Sequence, residues 1–179
     1  MMNVIIVGSS GMVGSIVLRS CLEADTVAQV TSIVRRPSGI SHPKLREVVH
    51  RNYLDYSEII SVFAGQDVAH FCIGAYTGQV PDAEFKKITV DFAKVFAAAL
   101  LENSPNIRLC FLSGAGADLQ EKSRIAFARY KGMAENYLMG QSFEGLHIFR
   151  PANIYPVEKS KEPTFSYQIY RYMYPVMNR

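Results

Sequence analysis

Three glycines at three-residue spacing, Gly8-x-x-Gly11-x-x-Gly14, directly follow the apolar run Val4-Ile5-Ile6-Val7, and an arginine pair, Arg35-Arg36, begins 21 residues beyond the last of them. The chemistry these residues can do is anion binding. Gly8 lets the chain leave a strand in a tight turn, Gly11 admits an anion close to the backbone, and Gly14 lets the next helix pack on the strand. The backbone at Ser10, Met12 and Val13 then lies at a helix start, whose N–H groups and positive dipole hold a pyrophosphate. The spacing is not the commoner Gly-x-Gly-x-x-Gly, so a purely structural turn stays open at this point. Arg35 and Arg36 stand at the end of the second strand, about 20 residues past the turn, where an acid selects NAD and an arginine admits the 2′-phosphate of NADP. The charge and fork geometry of a guanidinium favour NADP; the alternative is a solvated strand end.

These groups need elements to position them. The run before Gly8 is β-branched and short, which suits a strand buried on both faces. A helix is expected from Ser15 to Glu23, then strands over Gln29 to Val34 and Leu45 to His50, with Pro37 stopping the former. Asp55 or Ser57 is placed to cap a helix running to Ala64, with Gly65 closing it. A strand over Asp67 to Ile73 ends at Gly74. Phe85, Ile88, Phe92, Val95, Phe96 and Ala99 recur at steps of three and four, predicting an amphipathic helix from Pro81 to Leu101. Strands at Ile107 to Leu112 and Leu146 to Arg150 flank a helix-like pattern over Glu121 to Met139. Alternation of this kind predicts an α/β fold of Rossmann type, a doubly wound parallel sheet with helices on both faces and right-handed crossovers. Ligands then bind beyond the carboxyl ends of the strands, where Gly8, Arg35, Gly74, Ser113 and Arg150-Pro151 all fall.

Bulk properties exclude other classes. A chain of 179 residues, 49% hydrophobic and 20% charged, is expected to fold as a single domain, 1–179. A formal charge of +3 without a long basic run gives no case for nucleic acid. No apolar run reaches the roughly 18 residues of a membrane span, and the N-terminus has neither a basic n-region nor a cleavage site. A cytoplasmic protein is expected on that ground. Cys21, Cys72 and Cys110 are odd in number and widely spaced, as expected of buried reduced thiols. His42, His50, His70 and His147 lack metal-ligand spacing and are read as surface or structural residues, with no metal site.

From about Met2 to Tyr155 the chain resembles the atypical and extended branch of the short-chain dehydrogenase/reductase superfamily, which includes NmrA-like and sugar-nucleotide epimerase-like proteins. The resemblance rests on Gly8-x-x-Gly11-x-x-Gly14, on Ser113 after the fifth strand, on Lys131-Gly132-x-x-Glu135, and on Arg150-Pro151-Ala152-Asn153-Ile154-Tyr155. It implies NAD(P) binding. It also implies that Asn52, with Tyr53 beside it, stands where the family usually has an aspartate contacting adenine, that Gly74 meets the cofactor through its backbone, and that Pro151 and Asn153 line the nicotinamide side.

The family's chemistry uses a Tyr-x-x-x-Lys pair and a serine. Tyrosine and lysine share a helical face, so the ammonium lowers the phenol pKa and holds the nicotinamide ribose, while the phenol exchanges a proton with a carbonyl that the serine orients. The resemblance makes Ser113 and Lys131 the catalytic candidates here. Phe127 replaces the tyrosine, and Tyr130, turned about 100° from Lys131 on an α-helix, cannot stand in for it without local distortion. Tyr76 and Tyr155 lie at strand ends and could present a hydroxyl from another direction. Three functions remain: an NADPH-dependent oxidoreductase for a carbonyl or quinone-like substrate, a non-catalytic NADP(H)-sensing module acting on a protein partner, and an epimerase-like enzyme, against which Phe127 and the chain length count. Phe127→Tyr is the expected discriminator, since activity appearing only in that variant would separate the native protein from the standard route.

Beyond Val157 a polar loop leads to Phe165, Tyr167, Tyr170, Tyr172 and Tyr174, expected to form a short helical lid or oligomer contact over 157–179. In the family another strand and helix follow, so the fold is read as a shortened variant or a truncated chain. A homodimer is the expected assembly, with no membrane partner.

Overall fold

The computed structural model describes residues 1–75, 78–152 and 154. Six parallel strands form one sheet: β1 (Met2–Val7), β2 (Val27–Val34), β3 (Leu45–Val49), β4 (Val68–Phe71), β5 (Arg108–Leu112) and β6 (Gly145–Phe149), in the order β3-β2-β1-β4-β5-β6. This is the Rossmann arrangement, and the strand order reverses between β1 and β4, where the crevice for a ligand opens. Val4, Ile5, Ile6 and Val7 are all buried because β1 is covered on both faces.

Helix α1 (Met12–Glu23) lies on one face, closing Val4, Ile6 and Val30 beneath Leu18 and Leu22. On the other face the 3-10 helix Ser57–Phe63 and the helices α3 (Phe92–Asn103) and α4 (Ala126–Met139) cover Ile5, Val7, Phe71 and Phe111. Phe96 is the centre of this larger core, with ring centroids 5.6 Å from Phe63 and 5.7 Å from Phe71.

Several elements depart from expectation. The segment after Ala64 turns as expected, with Gly65 at φ 69°, yet the preceding helix is 3-10 with a non-helical Ile59. Asp55 accepts the Ser57 N–H at 2.9 Å from just outside it. The long amphipathic helix is present without a break from Asp82 to Asn103, as expected, and what was not expected is the π-turn Lys87–Asp91 between α2 (Asp82–Lys86) and α3. The fourth helix starts at Ala126 and not at Glu121, because the preceding loop wraps around Asp118. That carboxylate accepts the N–H groups of Gln120, Lys122 and Ser123 at 3.0, 2.9 and 2.7 Å, and Glu121 adopts φ 60°, which no α-helix contains. Gly132 lies where α4 crosses this loop, and a Cβ there would overlap the Asp118 carbonyl.

The three cysteines are free and only partly buried, with burial raising the pKa of each. His50 is buried and structural: its Nε2 faces the carbonyls of Asn52 and Asp55 at 2.8 and 2.7 Å, so it is the donor nitrogen and clamps the loop after β3.

Candidate functional site: a nucleotide cleft and an adjoining polar cluster

The glycine turn is a cradle in which backbone meets backbone. Gly8 has φ 82°, and a Cβ on it would lie 2.7 Å from the Cys72 carbonyl carbon, while a Cβ on Gly14 would overlap the Gly8 carbonyl oxygen. Gly11 donates its N–H to Gly8 at 3.0 Å and precedes α1, whose first turn carries no acid. Buried Ser9 bonds Ser32 through their hydroxyls at 2.7 Å, tying the turn to β2. The outcome is an uncovered helix start with its dipole aimed into the crevice.

A cavity of about 410 Å³ opens there. Gly8, Ser10 and Gly11 of the turn, Arg35, Asn52 and Tyr53 from the β2 and β3 ends, and Gly74 after β4 all line it. Met12, Val13, Gly14 and Arg36 do not line it: the first two continue into α1, Gly14 packs under Gly8, and Arg36 is exposed elsewhere. Arg51 does line it, from the loop after β3, and its Nε donates to the Arg35 carbonyl at 3.4 Å. Lys87 and Glu84, paired with each other, and the side chains of Ile88 and Phe92 close the far wall. Burial pushes the Tyr53 phenol up, opposed by the guanidinium of Arg35. Asn52 lines the cavity and accepts the Leu54 N–H with its Oδ1 at 3.2 Å. Two arginines and a lysine against one glutamate make the lining cationic, as a polyphosphate requires.

The catalytic candidates do not line this cavity but lie in a polar cluster at the ends of β5 and β6, where Ser113, Lys131 and Glu135 are buried and Arg150 is exposed. Ser113 donates its hydroxyl to Glu135 on α4, a fully buried carboxylate. Arg150, following β6, donates to Glu135 from Nε and Nη2, the Nε bonds measuring 3.0 and 3.1 Å. Lys131, one turn before Glu135, donates to the Leu112 carbonyl at 2.8 Å and stands 5.0 Å over the Phe111 ring. Burial pulls the Lys131 ammonium down to about 8, while the Glu135 carboxylate acts in the other direction. Burial pushes the neighbouring Cys72 thiol up to about 12, so Cys72 is no nucleophile. Backbone bonds Ser113 N–H to Phe149 O at 2.8 Å and Ala115 N–H to Pro151 O at 2.9 Å carry the β5–β6 pairing on into the Arg150-Pro151 segment.

The Phe127 ring meets Gly114 with its tip, Cζ being the atom that a Cβ at Gly114 would overlap. Tyr130 is turned away to α2, where its hydroxyl donates to Asp82 at 2.6 Å. Tyr76, Asn153, Tyr155 and the segment 157–179 lie outside the described residues.

A family model described as NAD(P)H-binding matches residues 8–155, which include the cradle, both arginines, Ser113, Lys131 and Arg150-Pro151. The chain belongs to this family. It is an NAD(P)H-binding protein with a Rossmann fold. Among curated proteins it is 28% identical over 151 residues to the mitochondrial protein FMP52 of Eremothecium gossypii, covering 84% of this chain and 65% of that one. The chain therefore spans just under two thirds of the length of this relative. Among solved structures, WbmG of Bordetella bronchiseptica in complex with NAD superposes with TM-score 0.73 at 16% identity, over 98% of this chain and 60% of that one. The yeast methylglyoxal/isovaleraldehyde reductase Gre2 with NADPH gives TM-score 0.69 at 14% identity, over 84% of this chain and 58% of that one. At such identities these two show the fold alone.

The mitochondrial relative corrects the expectation of a cytoplasmic protein. That expectation rested on the absence of a secretory-type leader, which says nothing about addresses of other kinds. Sequence reasoning also passed over Arg51, Ser9, Glu84 and Lys87. Arg51 carried a usable signal, an arginine just past the end of the strand next to β2. The others did not, because their places depend on how α2 and the turn pack.

Proposed function

We propose that the chain is the NADP(H)-binding core of an oxidoreductase acting on a small carbonyl or quinone-like substrate. The observation that carries this reading is the convergence of Arg35 and Arg51, from two adjacent strand ends, on the cavity that begins at the Gly8 turn. The cradle fits a dinucleotide, since a side chain at Gly8 or Gly14 would collide with the backbone that shapes it. In this reading the turn holds the pyrophosphate, Arg35 and Arg51 take the 2′-phosphate, and Asn52 with Tyr53 borders the base. NADPH supplies a hydride when bound. Ser113, Lys131 and Arg150 lie beyond it at the β5 and β6 ends, where Lys131 would hold a ribose hydroxyl or carry a proton.

Calorimetry with NADP⁺ and NAD⁺ tests the cofactor assignment. NADP⁺ is expected to bind at least ~10-fold tighter, and Arg35→Ala and Arg51→Ala each to remove about 1–2 kcal/mol of NADP⁺ affinity while leaving NAD⁺ nearly unchanged. Equal affinity for the two cofactors in the native protein would overturn it.

A second reading, an NADP(H)-responsive module without turnover, is favoured by the Phe127 ring against Gly114 and by the commitment of Ser113 to Glu135. Tight NADPH binding with no oxidation over a broad panel of aldehydes, ketones and quinones would select it. The relative's mitochondrial name supports a mitochondrial setting, which fractionation of tagged protein tests.

A further inference from the structure

We propose that Tyr130 is a positioning residue of the nucleotide cavity, its hydroxyl tying down the start of the α2 and π-turn segment whose Glu84, Lys87 and Ile88 line the cavity. The proposal rests on the nucleotide reading of that cavity and assigns a role to a tyrosine that the proton chemistry does not use.

Helix α2 (Asp82–Lys86) is the first stretch of a helix that continues through the π-turn into α3, and its start, at Pro81, has no side-chain cap, so its free end depends on packing from elsewhere. Glu84, within it, and Lys87, immediately after it, nevertheless line the cavity. The tie comes from α4. The Tyr130 hydroxyl donates to Asp82 Oδ2 at 2.6 Å, and its ring meets Phe85 edge-on with centroids 5.9 Å apart. Phe85, Val90 and Tyr130 are the buried centre of a small apolar cluster that includes Phe127 at its margin. The Arg129 guanidinium lies 4.8 Å from the Tyr130 ring centroid and also donates to the Ser123 carbonyl at 2.7 Å, which fixes the tyrosine from its other side. Adjacent positions on α4 therefore hold different things: Tyr130 holds the cavity wall, and Lys131 turns to the β5 end. At about 100° per residue a helix separates two such tasks without a loop between them.

The test begins without ligand, by hydrogen–deuterium exchange of residues 82–91 in the full chain. Tyr130→Phe and Asp82→Ala are expected to speed exchange there about 10-fold, while Asp82→Asn, whose amide oxygen still accepts the phenol proton, stays near the native rate. Calorimetry with 2′,5′-ADP then follows the cavity itself. Affinity is expected to fall about 10-fold in Tyr130→Phe and in Asp82→Ala, to fall no further in the double variant, and to be retained in Asp82→Asn. Native exchange or native affinity in Tyr130→Phe overturns the proposal, as does a loss of melting temperature with affinity unchanged. If exchange responds as expected but the native chain fails to bind 2′,5′-ADP, the nucleotide reading of the cavity fails and takes the positioning role with it.

Discussion

At the scale of single residues, Phe127 is more than a tyrosine without its hydroxyl. Its ring tip already touches Gly114, so a hydroxyl on Cζ has to enter space the Ser113-Gly114 backbone occupies. Phe127→Tyr is therefore expected to lower stability by about 1–3 kcal/mol, measured by urea unfolding, before any gain in proton transfer is seen. The exchange that the sequence suggested as a clean discriminator is a packing change as well. Lys131 makes a second prediction. Its folded-state pKa of about 8 lies below the ordinary 10.5, so between these values the unfolded chain binds more protons than the folded one. Stability then rises with pH across that window, because the cost of burying the charged ammonium fades as the group deprotonates. Relative to Lys131→Met, which lacks the group, the native protein is expected to gain about 3 kcal/mol from pH 8 to pH 10.5 in a series of urea titrations. A difference that stays flat with pH would show an ammonium that is not desolvated.

Among the elements, Gly8 and Gly65, two of the five glycines with positive φ among the described residues, and the close-packed Gly14 separate conformational cost from steric cost. Gly65→Ala meets nothing within 4 Å and is expected to cost about 1–2 kcal/mol for the left-handed backbone alone, with NADP⁺ binding intact. Gly14→Ala drives a methyl into the Gly8 carbonyl and is expected to abolish NADP⁺ binding in calorimetry, since α1 must lift off the turn. These glycines, the β1 run and the α3 stripe were legible because each is a local demand of the backbone or of one periodicity. The elements misjudged were those whose composition or periodicity hides a local irregularity of the backbone. Glu121 and its neighbours carry helical composition, yet Asp118 takes their N–H groups into a loop. Lys87–Asp91 continues an apolar stripe without a break, and nothing in the stripe announces a π-turn. The Ser113–Glu135–Arg150 cluster was half visible: its members were each conspicuous as motif residues, but that they bond one another depends on α4 packing against the ends of β5 and β6.

On the scale of the whole molecule, the parallel sheet brings together strand ends that are far apart in sequence, and the fold was legible because strand and helix patterns alternate so regularly. The cofactor side and the polar-cluster side are then joined by α4, with Tyr130 reaching one and Lys131 with Glu135 belonging to the other. NADP⁺ at 100 times its Kd is expected to raise the stability of the native chain by about 3 kcal/mol, seen as a rise in melting temperature; no rise would contradict a cavity preformed for it.

The residues lining the cavity all fall between Gly8 and Phe92, whereas the polar cluster is drawn from Leu112 to Arg150. A ribosome making the chain from its N-terminus completes the residues of the cavity before those of the polar cluster exist. Strand β4, which pairs with β1 across that first half, waits for β5 to cover its other edge. Nascent chains arrested after residue 112 has cleared the exit tunnel are thus expected to gain protease resistance from NADP⁺, and arrests before β4 has emerged are not. On the proposed reading of the cavity, the order in which synthesis delivers the strands makes the dinucleotide a folding ligand for the emerging polypeptide, ahead of the polar cluster's assembly.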